Sequence, residues 1–221
     1  RAKAGRRKGP LDGVPISWKD LFDSAGTVTE AGTALLKGRV PSKDARGLAT
    51  ATQLGLVCIG KTHMTELAFS GLGLNPSTAS PPNVNDPEGI SGGSSSGAAT
   101  SVAFGLAACG IGSDTGGSVR IPSAWNDLVG LKTSHGRLSL DGVVPLCATF
   151  DTVGPLARTV EDAAEMLAVL EGKKNKAAII QFGRADGLLN IQCTAEHQPS
   201  VWKTRAGKLR FATSKGVVAF D

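Results

Sequence analysis

Apolar side chains alternate with other residues through Val14, Ile16 and Trp18, a period of two that predicts a short strand over 14–18. Residues 44–54 read as a helix, and the continuous apolar run Leu56-Val57-Cys58-Ile59 that follows reads as a buried strand. Residues 62–69 suit a helical turn, whereas 70–91 are rich in Pro, Asn, Ser and Gly and read as a long loop. Over 95–108 the residues Ala98, Ala99, Val102, Ala103 and Leu106 recur at helical spacing. A strand at 109–112, a turn at 114–118, a short helix to about 125 and a strand at 128–131 complete the middle of the chain. The clearest helix is 159–172. Thr159 and Asp162 cap it, Val160, Ala163, Ala164, Leu167 and Leu170 share one face, and Gly172 stops it.

Strands alternating with helices imply an α/β architecture without internal repeats. Residues 173–207 carry little pattern and read as an insertion or a divergent segment, while 208–213 and 216–220 return to strand-like runs. With 221 residues, 41% of them hydrophobic, the chain is long enough to bury a core, and a single domain over 1–221 is expected. It does not begin with methionine and shows no signal peptide, so a piece of a longer protein is expected.

The formal charge of +5 suggests nucleic acid until it is located. Arg1, Lys3, Arg6, Arg7 and Lys8 account for the whole excess and leave a neutral body, which reads as a solvated end rather than a phosphate-binding face. Cys58, Cys109, Cys147 and Cys193 are widely spaced, with Cys58 and Cys109 in apolar runs. They read as free thiols in a cytoplasmic protein, and neither a metal nor an organic cofactor is expected. No apolar run reaches the ~18 residues of a membrane span.

Three motifs compete for the chemistry. Residues 55–62 satisfy G-x-x-x-x-G-K-[ST], ending in Lys61-Thr62. A phosphate loop needs its strand before the first glycine, but here the intervening residues are themselves the strand, so the match reads as chance. Gly93-x-Ser95-x-Gly97 fits a nucleophile elbow with Ser95 as nucleophile of an esterase. The preceding residues are turn-rich, and only His135 and His197 follow as partners. The third reading joins Gly93-Ser94-Ser95-Ser96-Gly97, Asp114-Thr115-Gly116-Gly117-Ser118 and Lys19. Glycine lets backbone amides approach an anion, serine supplies a hydroxyl nucleophile, and a neutral lysine can take its proton. These groups suit acyl transfer without histidine.

At this point a resemblance becomes specific. Gly13-Val14-Pro15-Ile16-Ser17-Trp18-Lys19-Asp20, Gly92-Gly93-Ser94-Ser95-Ser96-Gly97 and Gly112-Ser113-Asp114-Thr115-Gly116-Gly117-Ser118-Val119-Arg120-Ile121-Pro122 resemble the hallmark blocks of the amidase signature family. Supporting resemblances run through 60–68, 128–133 and 150–159, and the likeness covers 9–172 almost continuously. It implies a mixed central β-sheet flanked by helices, incomplete in this chain because family members are longer. It also implies a Ser–Ser–Lys triad: Ser118 as nucleophile, Ser94 as bridging serine after a cis peptide, and Lys19 as base. The amides of Thr115, Gly116, Gly117 and Ser118 would form the oxyanion hole, with Asp114 and Arg120 as a supporting charge pair and Ser95 as a further hydrogen-bonding serine.

The activity so implied is hydrolysis of a linear carboxylic amide, releasing ammonia or an amine. The expected partner is a small amide substrate, with a homodimer left open and neither nucleic acid nor membrane involved. Two other readings of the resemblance stay open: the A subunit of a tRNA-dependent amidotransferase, and a truncated chain without turnover. The A subunits usually carry glutamine where this chain has Ile121, which favours the stand-alone amidases. Asp127 stands where glycine is common in the family.

Overall fold

A computed structural model describes residues 2–172, and beyond them the backbone of 181–185, 188–192, 200–203, 209–213 and 216–220. Five strands, β1 (Pro15–Lys19), β2 (Val57–Thr62), β3 (Cys109–Asp114), β4 (Val129–Gly130) and β5 (Thr152–Ala157), form a mixed sheet in the order β2-β1-β3-β5-β4. β1 runs parallel to both β2 and β3, and β5 runs antiparallel to β3 and β4. The helices are α1 (Arg46–Gln53), α2 (Ser96–Ala103), α3 (Arg120–Trp125) and α4 (Val160–Leu170).

The period-two pattern of β1 sorts its side chains onto the two faces of the sheet. Ile16 and Trp18 join the main core with Leu48, Cys109, Ile111, Met166, Val169 and Leu170, and Trp18 meets Phe22 edge to face at 5.1 Å. Ser17 and Lys19 point the other way, where Ser17 Oγ lies 2.8 Å from Ser101 Oγ of α2. A polar face beside a helix needs close backbone approach if it is to stay dry. β3 supplies it with glycines: a Cβ at Gly110 would lie 2.5 Å from the Ala98 carbonyl oxygen, and one at Gly112 would lie 2.5 Å from Ser95 Oγ. A second, smaller apolar cluster of Ala98, Ala99, Val119 and Leu156 seals this side.

Most predicted elements are present, with informative differences. The helix read over 95–108 ends at Ala103, because Gly105 turns left-handed at φ 75°, and this leaves Leu106 exposed rather than on the buried face. The helix read over 159–172 keeps its cap, with Thr159 Oγ1 accepting from the Asp162 amide at 3.0 Å. Val160, read as part of its apolar face, is exposed in the first turn, and Met166 and Val169 are buried instead. β5 goes unread in the sequence because Gly154-Pro155 looks like a breaker. Asp127 adopts φ 55°, a conformation for which glycine is the usual residue. Among the described residues Cys58, Cys109 and Cys147 are free, Cys58 being only half-buried, while Cys193 lies outside them. The basic side chains Lys3, Arg6, Arg7 and Lys8 are exposed. No helix among the described residues is long and apolar enough to cross a membrane.

The chain divides into two units, Arg1–Asn175 and Lys176–Asp221. In the second, β6 (Gln181–Ala185) pairs antiparallel with β7 (Leu188–Gln192), and β8 (Ser200–Lys203), β9 (Leu209–Thr213) and β10 (Gly216–Phe220) form an antiparallel sheet. The runs read at 208–213 and 216–220 are β9 and β10. Apart from β6, β7 and β8, the tract 173–207 lies outside the described residues.

Because the Ala98 carbonyl leaves no room for a methyl group at position 110, Gly110→Ala is expected to destabilise the first unit by about 2 kcal/mol. Urea unfolding followed by tryptophan fluorescence checks this, as Trp18 is buried in the same sheet.

Candidate active site

Parallel β1 and β3 end side by side, and their carboxyl ends carry Lys19 and Asp114. Lys19 has no solvent exposure. Its Nζ lies 2.7 Å from Ser94 Oγ and 2.8 Å from Ser113 Oγ and donates to both. Burial pushes the ammonium down from 10.5 to about 7, with the negative charges of Asp114 and Asp151 offsetting part of the effect. A lysine at that value holds an available lone pair near neutral pH.

Ser94 and Ser95 precede α2, and the Gly93–Ser94 peptide is cis, as the sequence resemblance implies. Ser95 Oγ donates to the Ser113 carbonyl at 3.2 Å, and the Ser95 amide donates to the Ser118 carbonyl at 3.2 Å. Ser95 is therefore a fully buried link between α2, β3 and the turn, which removes it as an exposed elbow nucleophile. His135, offered as its partner, is tied to the Ala148 carbonyl at 3.0 Å, and His197 lies outside the described residues.

The 114–118 turn wraps around the Asp114 carboxylate. Oδ1 accepts from the Gly117 amide at 2.8 Å, and Oδ2 accepts from the amides of Val119 at 3.1 Å and Arg120 at 3.3 Å. Arg120 adds Nε and Nη2, each at 3.0 Å. Burial works to raise the Asp114 carboxyl, but the Arg120 guanidinium and the amides outweigh it, and the net shift is downward. An ionised carboxylate thus holds the turn open at Gly117, where φ is 135°. The Gly117 amide, expected to face an oxyanion, is committed to Asp114 instead.

Ser118 is buried to 8% exposure at the end of this turn. Among the described residues no hydrogen bond joins its hydroxyl to that of Ser94. Lys19, Ser94 and Ser113 are brought into direct contact, and Ser118 is reached through backbone.

Two site residues escape sequence reasoning, Ser113 and Asp151. Ser113 is the second hydroxyl on Lys19, and Asp151 accepts the Thr115 hydroxyl, yet each is a lone polar residue marked by no spacing rule. Strand parity would have set Ser113 aside, since it alternates with Gly112 and Asp114 and falls in phase with the core residues Cys109 and Ile111; only its place at the end of β3, beside the end of β1, brings it to Lys19. The P-loop match is a strand, as the sequence implies, but at the edge of the sheet with Val57 and Ile59 exposed rather than buried. Lys61 lies in β2 and reaches Asp20 Oδ1 at 3.0 Å and Thr29 Oγ1 at 2.8 Å. Among the described residues no cluster of His, Cys, Asp or Glu could hold a metal ion.

The family model for Amidase matches residues 1–182. The chain belongs to the amidase signature family. It is 42% identical over 172 residues to the A subunit of the glutamyl-tRNA(Gln) amidotransferase of Anaeromyxobacter dehalogenans, covering 78% of this chain and 35% of that protein. A crystal structure of an amidase superposes with a TM-score of 0.74 at 41% identity, over 78% of this chain and 40% of the other. The native peptide amidase from Stenotrophomonas maltophilia gives a TM-score of 0.73 at 37% identity, over 84% and 37%. This member of the amidase family thus spans about a third of the length of the amidotransferase protein it matches.

Burying Lys19 sets a sign for stability against pH. Its folded value lies below its unfolded one, so the unfolded chain binds more protons between about pH 7 and 10.5. Stability from this group therefore rises with pH across that window and is flat below it. Relative to Lys19→Met, the wild type is expected to gain about 1.4 kcal/mol per pH unit there, checked by urea unfolding at several pH values.

Proposed function

We propose that this chain carries the catalytic group of an amidase and hydrolyses a carboxylic amide through an acyl-enzyme. The observation that carries the reading is the buried Lys19 amine, 2.7 Å from Ser94 Oγ beside a glycine-rich turn ending in Ser118. Neutral Lys19 accepts the Ser94 proton as Ser94 accepts that of Ser118, and Ser118 Oγ attacks the carbonyl carbon. The amides of Thr115, Gly116 and Ser118 stabilise the oxyanion, Gly117 being held by Asp114. The tetrahedral intermediate collapses by breaking its C–N bond, and the proton returns through Ser94 to the departing nitrogen, giving ammonia or an amine. Water then attacks the ester along the same relay, releasing the acid and restoring the Ser118 hydroxyl. In this mechanism Asp114 and Arg120 keep the turn in shape, and Ser95 ties it to α2.

The 42% identity to an amidotransferase A subunit supports a second reading, in which the amide is glutamine and the ammonia is passed onward. Against it, Ile121 places an apolar side chain against Gly71 and Gly117, where the A subunits usually carry glutamine. We favour the stand-alone amidase.

Ser118→Ala is expected to lower ammonia release from a primary amide on the order of a thousandfold or more. A fluorophosphonate is expected to label the wild-type chain at Ser118, with the adduct mapped by mass spectrometry. Labelling at Ser95, or an unlabelled chain, would overturn the assignment. Wild-type turnover is expected to rise with pH through about 7, as Lys19 loses its proton.

A further inference from the structure

The 114–118 turn is gripped from two sides, and only the inner grip, by Asp114, is a recognised part of the proposed machinery. The outer grip comes from Asp151, just before β5, and Thr152, which opens it. Asp151 is 5% exposed, and its carboxylate accepts the Thr115 hydroxyl together with the amides of Leu146 at 3.0 Å and Cys147 at 3.0 and 3.1 Å. Its neighbour Thr152, the first residue of β5, donates Oγ1 to the Asp114 carbonyl at 2.6 Å, so two adjacent residues hold two adjacent residues of the turn.

We propose that Asp151 is a positioning residue for amide cleavage, which holds the Thr115 hydroxyl and thereby fixes the turn that presents Ser118. The inference rests on the amidase reading above. Thr115 carries one of the amides assigned to the oxyanion, and its side chain is the handle by which β5 sets that amide. A carboxylate suits the task because it accepts three donors at once, and the Leu146 and Cys147 amides orient it while one oxygen faces Thr115. Displacements of about 1 Å in such groups cost up to roughly a hundredfold in rate.

Asp151 has a second effect that a merely structural residue would lack. Lys19 feels two negative charges, Asp114 and Asp151, and both favour its protonated form. Removing the charge at 151 therefore shifts the lysine toward its neutral form at lower pH.

The test compares the wild type with Thr115→Val, Thr115→Ser and Asp151→Asn. It reads kcat and KM on a primary amide, the rate of fluorophosphonate labelling at Ser118, and both rates against pH. Thr115→Val breaks only the bond to Asp151 and leaves the 146–147 loop held. It is expected to lower kcat and labelling about 10- to 100-fold with KM little changed and the acid limb in place. Thr115→Ser keeps the hydroxyl and is expected to restore the rate. Asp151→Asn is expected to lose rate similarly and to move the acid limb to lower pH. Wild-type rates in Thr115→Val overturn the inference, as does a Thr115→Ser variant that stays as slow as Thr115→Val. If the wild type itself is not labelled at Ser118, the amidase reading falls first and takes this inference with it. Should Asp151→Asn not fold, the two Thr115 variants decide the outcome alone.

Discussion

The amine of Lys19, wedged between the hydroxyls of Ser94 and Ser113 with no access to water, is the contact on which the arrangement turns. Keeping a lysine dry is expensive: a displacement of its proton equilibrium from 10.5 to about 7 costs the folded state on the order of 4 kcal/mol at neutral pH. The surroundings read as the means of bearing that cost. Hydroxyls satisfy the nitrogen without adding charge, small residues of α2 bring the helix against the sheet, and β3 offers glycines where the two backbones meet. The apolar core on the opposite face supplies the stability that this polar pocket consumes.

A carboxylate rather than a hydroxyl organises the neighbouring turn. Asp114 gathers three amides and a guanidinium, so Gly117 and Ser118 are held by a charge that is itself paired with Arg120. Charge is thereby kept where it positions backbone, and neutral groups are kept where protons would move. Asp151 repeats the principle from the far side of the turn.

Strand periodicity makes much of this legible. The alternation through Val14, Ile16 and Trp18 predicts β1, and the same alternation puts Lys19 on the face opposite Trp18, toward the serines. The glycine–serine blocks are legible because the first leads into a helix and the second follows a strand, which a flexible linker would not do. What stays hidden has no local signature. Pro155 and Gly154 argue against a strand by composition, yet β5 lies inside the sheet, with the Leu131 carbonyl packed where a side chain at 154 would stand. Leu106 reads as buried because periodicity cannot see the left-handed turn at Gly105 that ends α2 before it. Ser113 and Asp151 matter only through what lies across from them, which is tertiary information.

Lys19, Asp114 and the start of β5 all gather at one rim of the sheet, while Pro15, Cys109 and Ala157 mark the other. That polarity divides labour between reactivity and endurance. Cross-links, fused tags or stiffening substitutions grafted onto the second rim would reinforce the scaffold at a distance from the reacting groups. An engineer seeking a hardier protein has that margin as the place to begin.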